Sequence, residues 1–177
     1  MPRAASPRRF AQAVFQIALE RNELEGWQGD LEVMAGAVES NEFTGLLDAP
    51  QVPTAVKVNA IREALGDSVG PLALNLLSVL ASRSLAHHLN GIVDEYGRLL
   101  DAHRGIERAE VVTALPLDNN QSSRITGLLE GMTGSQVRMT ATVDAQILGG
   151  LIARIGDRVI DGSVKTKLGQ MRKDLAE

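Results

Sequence analysis

The hydrophobic period of this chain changes once, near Gly105. Before that point apolar residues recur at helical spacing in segments punctuated by proline and glycine; beyond it, segments alternate residue by residue, as strands do. The aromatic residues divide at nearly the same place. Phe10, Phe15, Trp27, Phe43 and Tyr96 all lie in the first 96 residues, and the remainder of the 177 contains none. A period and a composition that switch together imply two separately built units, residues 1–105 and 106–177. The expected fold class is α+β: an N-terminal six-helix bundle, then a small α/β domain with a mixed sheet.

Six helical segments are expected in the first unit. Ser6 and Pro7 open the first, over "RRFAQAVFQIALER", because serine caps well and proline is tolerated in the first turn. "ELEGWQGDLEVMAGAVES" follows with Leu24, Trp27, Leu31, Met34 and Val38 at helical spacing, and "NEFTGLLDAP" is a short helix stopped by Pro50. "PTAVKVNAIREALG" restarts at Pro53 with Val56, Ala60, Ile61 and Leu65 inward. "PLALNLLSVLASRS" and "LAHHLNGIVDEYGRLLDAHRG" complete the set, the last closing at Gly105, whose backbone suits a helix C-terminus.

In the second unit "IERAEVVTALPL" reads as a strand ended by Pro116, and "NNQSSRITGLLEGMTG" as a helix with Ile125, Leu128, Leu129 and Met132 on one face. "VRMTATVD" alternates strictly, with Val137, Met139, Ala141 and Val143 on one side. The glycine-rich stretch "GGLIARIGDRVIDGSVKTKL", residues 149–168, invites comparison with a phosphate-binding loop. Such a loop needs G-x-x-x-x-G-K-[ST], so that amides wrap the phosphates, lysine reaches the outer ones and the hydroxyl binds magnesium. Here five residues separate Gly156 from Gly162, Ser163 stands where lysine should, and Val159 and Ile160 occupy the would-be loop. Two strands joined at Gly156-Asp157 fit better, since glycine first in a two-residue connection signals a type II′ turn. Gly162 then ends the second strand, and Ser163 caps a final helix with Val164, Leu168, Met171 and Leu175 in one stripe.

Composition narrows the function classes. No cysteine occurs, which excludes disulfides, thiolate metal sites and cysteine nucleophiles. The apolar run "PLALNLLSVLA" falls short of the roughly 20 residues that span a bilayer, and the basic start lacks a signal-peptide core, so a cytosolic chain is expected. Net charge is −4, with 9 basic and 13 acidic residues up to Gly105 and 9 of each beyond it. Without a basic face or stacking aromatics near the charges, nucleic acid is not an expected partner. Adjacent His87 and His88 diverge on a helix and His103 lies four turns on, so no metal ligand set converges, and no cofactor is expected. Asp157 and Asp161 have turn and strand-end roles that discount a paired-carboxylate site. Lys165, Lys167, Arg172 and Lys173 give the last helix a basic face able to meet acidic residues of a partner helix.

"GGLIARIGDRVIDGSVKTKLGQMRKDL", residues 149–175, closely resembles the C-terminal signature of the delta subunit of F-type ATP synthases, the bacterial counterpart of the oligomycin-sensitivity-conferring protein. "RRFAQAVFQIALE" resembles that family's first helix and "EVVTALPL" its C-terminal strand. "VDAQILGG" departs from the Pro-Ser that many members carry, and "SVKTKL" from Ser-Val-Arg-Gly-Arg-Leu. The resemblance implies a non-catalytic stator subunit of the proton-transporting synthase, linking the catalytic head to the peripheral stalk against rotor torque. It implies an N-terminal bundle that grips the N-terminal helix of an alpha subunit, and a C-terminal domain that engages a b-type stalk subunit. The location implied is the cytoplasmic face of the bacterial cell membrane, with membrane contact only through the complex. The rival reading is a stand-alone phosphate- or nucleotide-binding protein using residues 149–168.

Residue patterning bears on the first of these contacts. In the first helix Arg9, Gln12, Gln16 and Glu20 fall within a polar arc of about 80°, and the other positions from Phe10 to Leu19 are apolar. The fifth helix behaves alike, with Asn75, Ser78 and Ser82 on its polar side. Such broad apolar arcs suit either central core helices or helices that leave a groove for a partner. Taken with the resemblance, they place Phe10, Ala13, Val14, Ile17, Leu76 and Val79 at a partner-helix groove.

Overall fold

The computed structural model describes residues 6–174. These fall into two compact units that divide between Leu100 and Asp101. The first carries α1 (Pro7–Arg21), α2 (Leu24–Val38), α3 (Asn41–Asp48), α4 (Thr54–Leu65), α5 (Pro71–Ser82), a short 3-10 turn (Ala86–His88) and most of α6 (Leu89–His103).

Local chemistry sets the helix ends. Pro7 occupies the first turn of α1, where a missing N–H costs nothing. Ser6 holds the N-cap position with extended backbone, but its hydroxyl makes no capping bond, contrary to expectation; its carbonyl accepts from the Arg9 amide at 3.0 Å instead. α3 stops at Asp48 because Ala49, preceding Pro50, is driven to extended backbone (φ −66°, ψ 117°). Two aspartates cap across helices. Asp30 accepts the Gly70 amide at 3.1 Å at the start of α5, and a Cβ on Gly70 would lie 2.8 Å from that carboxylate oxygen. Asp48 accepts the amides of Ala86 and His87 at 2.7 and 3.2 Å.

The core of this unit follows the helical spacing. Trp27, Leu31, Met34 and Val38 are buried on α2, Ala11, Val14 and Ala18 on α1, and Ala73, Leu77, Leu80 and Ala81 on α5. Tyr96 of α6 packs edge-on to Phe15, ring centroids 5.6 Å apart, and its hydroxyl donates to the Leu24 carbonyl at 2.9 Å. α4 departs from expectation. Ile61 and Leu65 are inward, but Val56 is exposed and Ala60 only half-buried, while Lys57 is 3% exposed. At about 100° per residue Lys57 shares the Ile61–Leu65 stripe and Val56 lies about 140° from Ile61. The lysine stem fills the core and its ammonium donates to the Ala81 carbonyl at the C-terminal end of α5, 3.0 Å away.

The second unit carries β1 (Ile106–Thr113), α7 (Asn119–Thr133), β2 (Gln136–Val143), a 3-10 turn (Ala145–Ile147), β3 (Leu151–Ile155), β4 (Arg158–Asp161) and α8 (Val164–Asp174). The strands form one mixed sheet in the order β2-β1-β3-β4. β1 and β2 are parallel, Ile106 opposite Gln136, with α7 as the crossover; β3 runs antiparallel to β1 and forms a hairpin with β4. Ala109, Val111, Val137, Ala153 and Ile155 share one sheet face and bury against Leu129 of α7. A capping box starts α7: Asp118 accepts the Gln121 amide at 2.6 Å and Gln121 accepts the Asp118 amide at 3.1 Å. Asp101, 2% exposed, accepts from Arg108 on β1 at 2.5 Å and Arg138 on β2 at 2.9 Å, residues in direct register.

Three apolar stripes read from the sequence are partly outward. Leu128 and Met132 of α7 are exposed, because the helix is rotated so that Thr126 and Thr133 share its sheet-facing side with Leu129. On β2, an edge strand, α7 covers Val137 and part of Met139, but Ala141 and Val143 are exposed. On α8, Val164, Leu168 and Met171 are exposed, and Leu175 lies outside the described residues.

Candidate functional site

The glycine-rich stretch is a structural joint. Gly156 has φ 54° while Asp157 is not among the positive-φ residues, the combination a type II′ connection between β3 and β4 requires. Gly150 (φ 80°) runs against the far end of the same hairpin, where a Cβ would meet the Gly162 carbonyl oxygen at 2.3 Å. Gly162 donates to the Leu151 carbonyl at 2.9 Å, and Val164 donates to the Gly149 carbonyl at 2.9 Å. Backbone that packs on backbone in this way does not form a cradle of amides around a phosphate.

Asp161 and Ser163 together start α8. The Asp161 carboxylate accepts the Ser163 amide at 2.9 Å and the Thr166 hydroxyl at 2.7 Å, and the Ser163 hydroxyl accepts the Thr166 amide at 3.2 Å. The Ser163 amide and the Thr166 hydroxyl hold the Asp161 carboxyl below the usual carboxylate range. Ser163 is 1% exposed, so the cap is built into the unit.

The six residues expected at a partner groove separate into two groups. Val14 is 3% exposed and belongs to the core, on the α1 face that also buries Ala11 and Ala18, so it does not present itself to a partner. Phe10 is half-buried, Ala13 exposed and Ile17 40% exposed, and the three fall within about 60° of one another around α1. On α5, Leu76 is half-buried and Val79 is 44% exposed, with Leu72 continuing the same strip. α1 packs against α2, and α5 packs against α2, α3 and α4, so the two helices share a neighbour. The polar residues Arg9, Gln12, Gln16 and Glu20 are exposed on α1. Each helix thus has a core face, a polar face and an unburied apolar strip between them.

Asp48 and His87 tie the end of α3 to the 3-10 turn. His87 Nδ1 lies 2.6 Å from Asp48, and the His87 and His88 rings are tilted, centroids 4.2 Å apart. Burial would raise the Asp48 carboxyl, but the His87 side chain and the Ala86 and His87 amides outweigh it and hold the group below the usual range. Among the described residues no three of His, Asp and Glu converge as a metal site, and no helix is long and apolar enough to cross a membrane.

What this fold presents at its surface, then, includes unburied apolar strips along helices, the geometry that helix-in-groove protein recognition uses. The family model for the ATP synthase delta (OSCP) subunit matches residues 7–175. An ATP synthase subunit delta from Desulforamulus reducens is 36% identical over 99% of this chain and 97% of its own length, and one from Desulforudis audaxviator is 35% identical over 100% and 98%. Among solved structures, a chain of the Toxoplasma gondii mitochondrial ATP synthase hexamer superposes with a TM-score of 0.68 at 26% identity, over 98% of both chains. The chain belongs to the ATP synthase delta (OSCP) subunit family, the non-catalytic stator subunits that link the catalytic head to the peripheral stalk.

Proposed function

We propose that the first unit, a six-helix bundle in its working form, receives the N-terminal amphipathic helix of an alpha subunit between the apolar strips of α1 and α5. The second unit engages the end of a b-type stalk subunit. The chain so held keeps the head from turning with the rotor, at the cytoplasmic face of the bacterial cell membrane, and reaches the membrane only through the complex. The observation that carries the first contact is the pair of unburied strips: Phe10, Ala13 and Ile17 on α1 and Leu72, Leu76 and Val79 on α5. Spacing of i, i+3/4, i+7 along both helices is what a helix seated in a groove requires.

Calorimetric titration of the full chain with the alpha-subunit N-terminal peptide tests this. Ile17→Asp and Val79→Asp alter exposed side chains and leave the core intact, so both variants fold, and each is expected to weaken binding about tenfold or more. Unchanged affinity in both folded variants removes these strips from the contact.

A further inference from the structure

α5 carries more apolar surface than the core takes. At about 100° per residue its apolar positions span about 220°, and the buried ones, Ala73, Leu77, Leu80 and Ala81, occupy about 100° of that arc. Leu72, Leu76 and Val79 lie about 120° around the helix from the middle of the buried face. Alanines make up half of the buried set, whereas the outward strip is leucine and valine. Burial therefore does not select this rotation, because turning the helix by that angle would remove larger side chains from water. The serines do not select it either: the hydroxyls of Ser78 and Ser82 donate to carbonyls of α5 itself, Leu74 and Val79, at 2.8 Å each, and travel with the helix.

The ends of α5 supply what burial does not. Each of α2, α4 and α3, which pack against α5, sends one charged side chain to an end of it or to the turn that follows. From α2, Asp30 accepts the Gly70 amide at the N-cap at 3.1 Å, with no room for a Cβ between them. From α4, the buried Lys57 ammonium donates to the Ala81 carbonyl at 3.0 Å. From α3, Asp48 accepts the Ala86 and His87 amides just beyond the helix. The anion sits at the positive end of the α5 dipole and the cation at the negative end, so both contacts gain beyond the hydrogen bond. The C-terminal turn needs such support: Ser84 holds a left-handed φ of 54° so that its own amide reaches Ala81 and the Leu85 amide reaches Leu80. On a backbone of radius about 2.3 Å, a turn of about 120° would carry the Ala81 carbonyl about 4 Å sideways and break its bond to Lys57. A buried ammonium is costly unless bonded, which makes that break expensive.

We propose that Asp30 and Lys57 are positioning residues for partner binding: by pinning the two ends of α5 they hold Leu72, Leu76 and Val79 outward while no partner covers them. This rests on the reading that α5 borders the partner groove, and adds what keeps that border formed in the free chain. Without the pins, α5 divides its time between the outward rotation and an inward one that buries the strip. A partner then meets a smaller competent fraction, and the apparent Kd rises by the inverse of that fraction.

The chain has no cysteine, so Val79→Cys and Ala73→Cys, made separately in the full chain, each introduce one thiol whose alkylation rate reads the rotation of α5. With the pins intact, the thiol at the exposed position 79 is expected to label quickly and the one at the buried position 73 slowly. Lys57→Met keeps the stem and removes the cation, Asp30→Ala removes the acceptor, and Asp30→Asn keeps one. Lys57→Met with Asp30→Ala should slow labelling at position 79 about tenfold and speed it at position 73. Without the probe thiols, the same pair should raise the Kd for the alpha-subunit N-terminal peptide by the same factor, about tenfold. Asp30→Asn should stay within about twofold of wild type in both readouts. Labelling or affinity that is unchanged in the double variant overturns the positioning role, as does faster labelling at both positions, which reports loosening of the helix and not rotation. Should the double variant not fold, Asp30→Ala alone decides by the same two readouts. A wild-type chain that does not bind the peptide overturns the groove reading, and the labelling rates by themselves then decide whether the ends pin α5.

Discussion

Gly150 and Gly134 share a left-handed backbone, φ 80° and 73°, and differ in what a methyl group would strike. At Gly134 a Cβ meets nothing within 4 Å, so Gly134→Ala carries only the conformational penalty, about 1 kcal/mol. At Gly150 it meets a backbone oxygen at 2.3 Å that cannot swing away, and Gly150→Ala is expected to cost at least about 3 kcal/mol. Urea unfolding of both variants, followed in the second unit, checks the difference; equal losses would mean the Gly150–Gly162 approach is not a constraint. Val14 and Ile17 make a similar pair in the first unit. They are one turn apart, and periodicity assigns both to an apolar arc without saying which faces inward. Val14→Asp buries a charge beside Ala11 and Ala18 and is expected to destabilise by about 3 kcal/mol or more, whereas Ile17→Asp changes stability by less than about 1 kcal/mol. Thermal melts separate them, and a Val14→Asp protein as stable as wild type would contradict the core assignment.

Among the elements, α2 and the β3–β4 hairpin were the most legible from residues alone. The Trp27–Val38 stripe and the Gly156-Asp157 turn each rest on a local rule that packing did not override. α4, α7 and α8 were less so, because period identifies a helix but neighbours choose its rotation. α4 turned Val56 out and spent Lys57, stem and ammonium together, on the core and on the end of α5. α7 turned Leu128 and Met132 outward, and α8 left Val164, Leu168 and Met171 uncovered. The Ser6 cap failed for the opposite reason: a favourable residue type does not ensure that the hydroxyl bonds. The α8 cap yields a pH prediction. The Asp161 pKa is lower folded than unfolded, so its contribution is full above the unfolded value, about 4, and is lost as pH falls through the lower folded value. The amide resonances of Ser163 and Thr166 should therefore shift together on acidification, with a midpoint below about 4. In Asp161→Asn that shift should disappear, and its persistence would assign the titration to another group.

For the whole molecule, the glycine-rich segment that invites a nucleotide-binding reading is a hairpin joint leading into a capped helix. The surfaces left for function are apolar helix faces in each unit. The α1 and α5 strips were partly legible as excess apolar arc, with Ile17 and Val79 outward and Val14 in the core. The apolar stripe and basic face of α8 were legible, whereas the exposure of Val164, Leu168 and Met171 was not, because it depends on what packs against the helix. An account in which one unit holds the head and the other the stalk makes a demand that binding to either partner alone does not meet. Both partners must be held at once. Sedimentation of the full chain with the alpha-subunit N-terminal peptide and the soluble b-type fragment measures this directly. The expected result is a single species containing all three components, with each partner's affinity unaffected by the other. Two binary complexes that exclude one another, or a chain that binds neither partner, would contradict the stator reading.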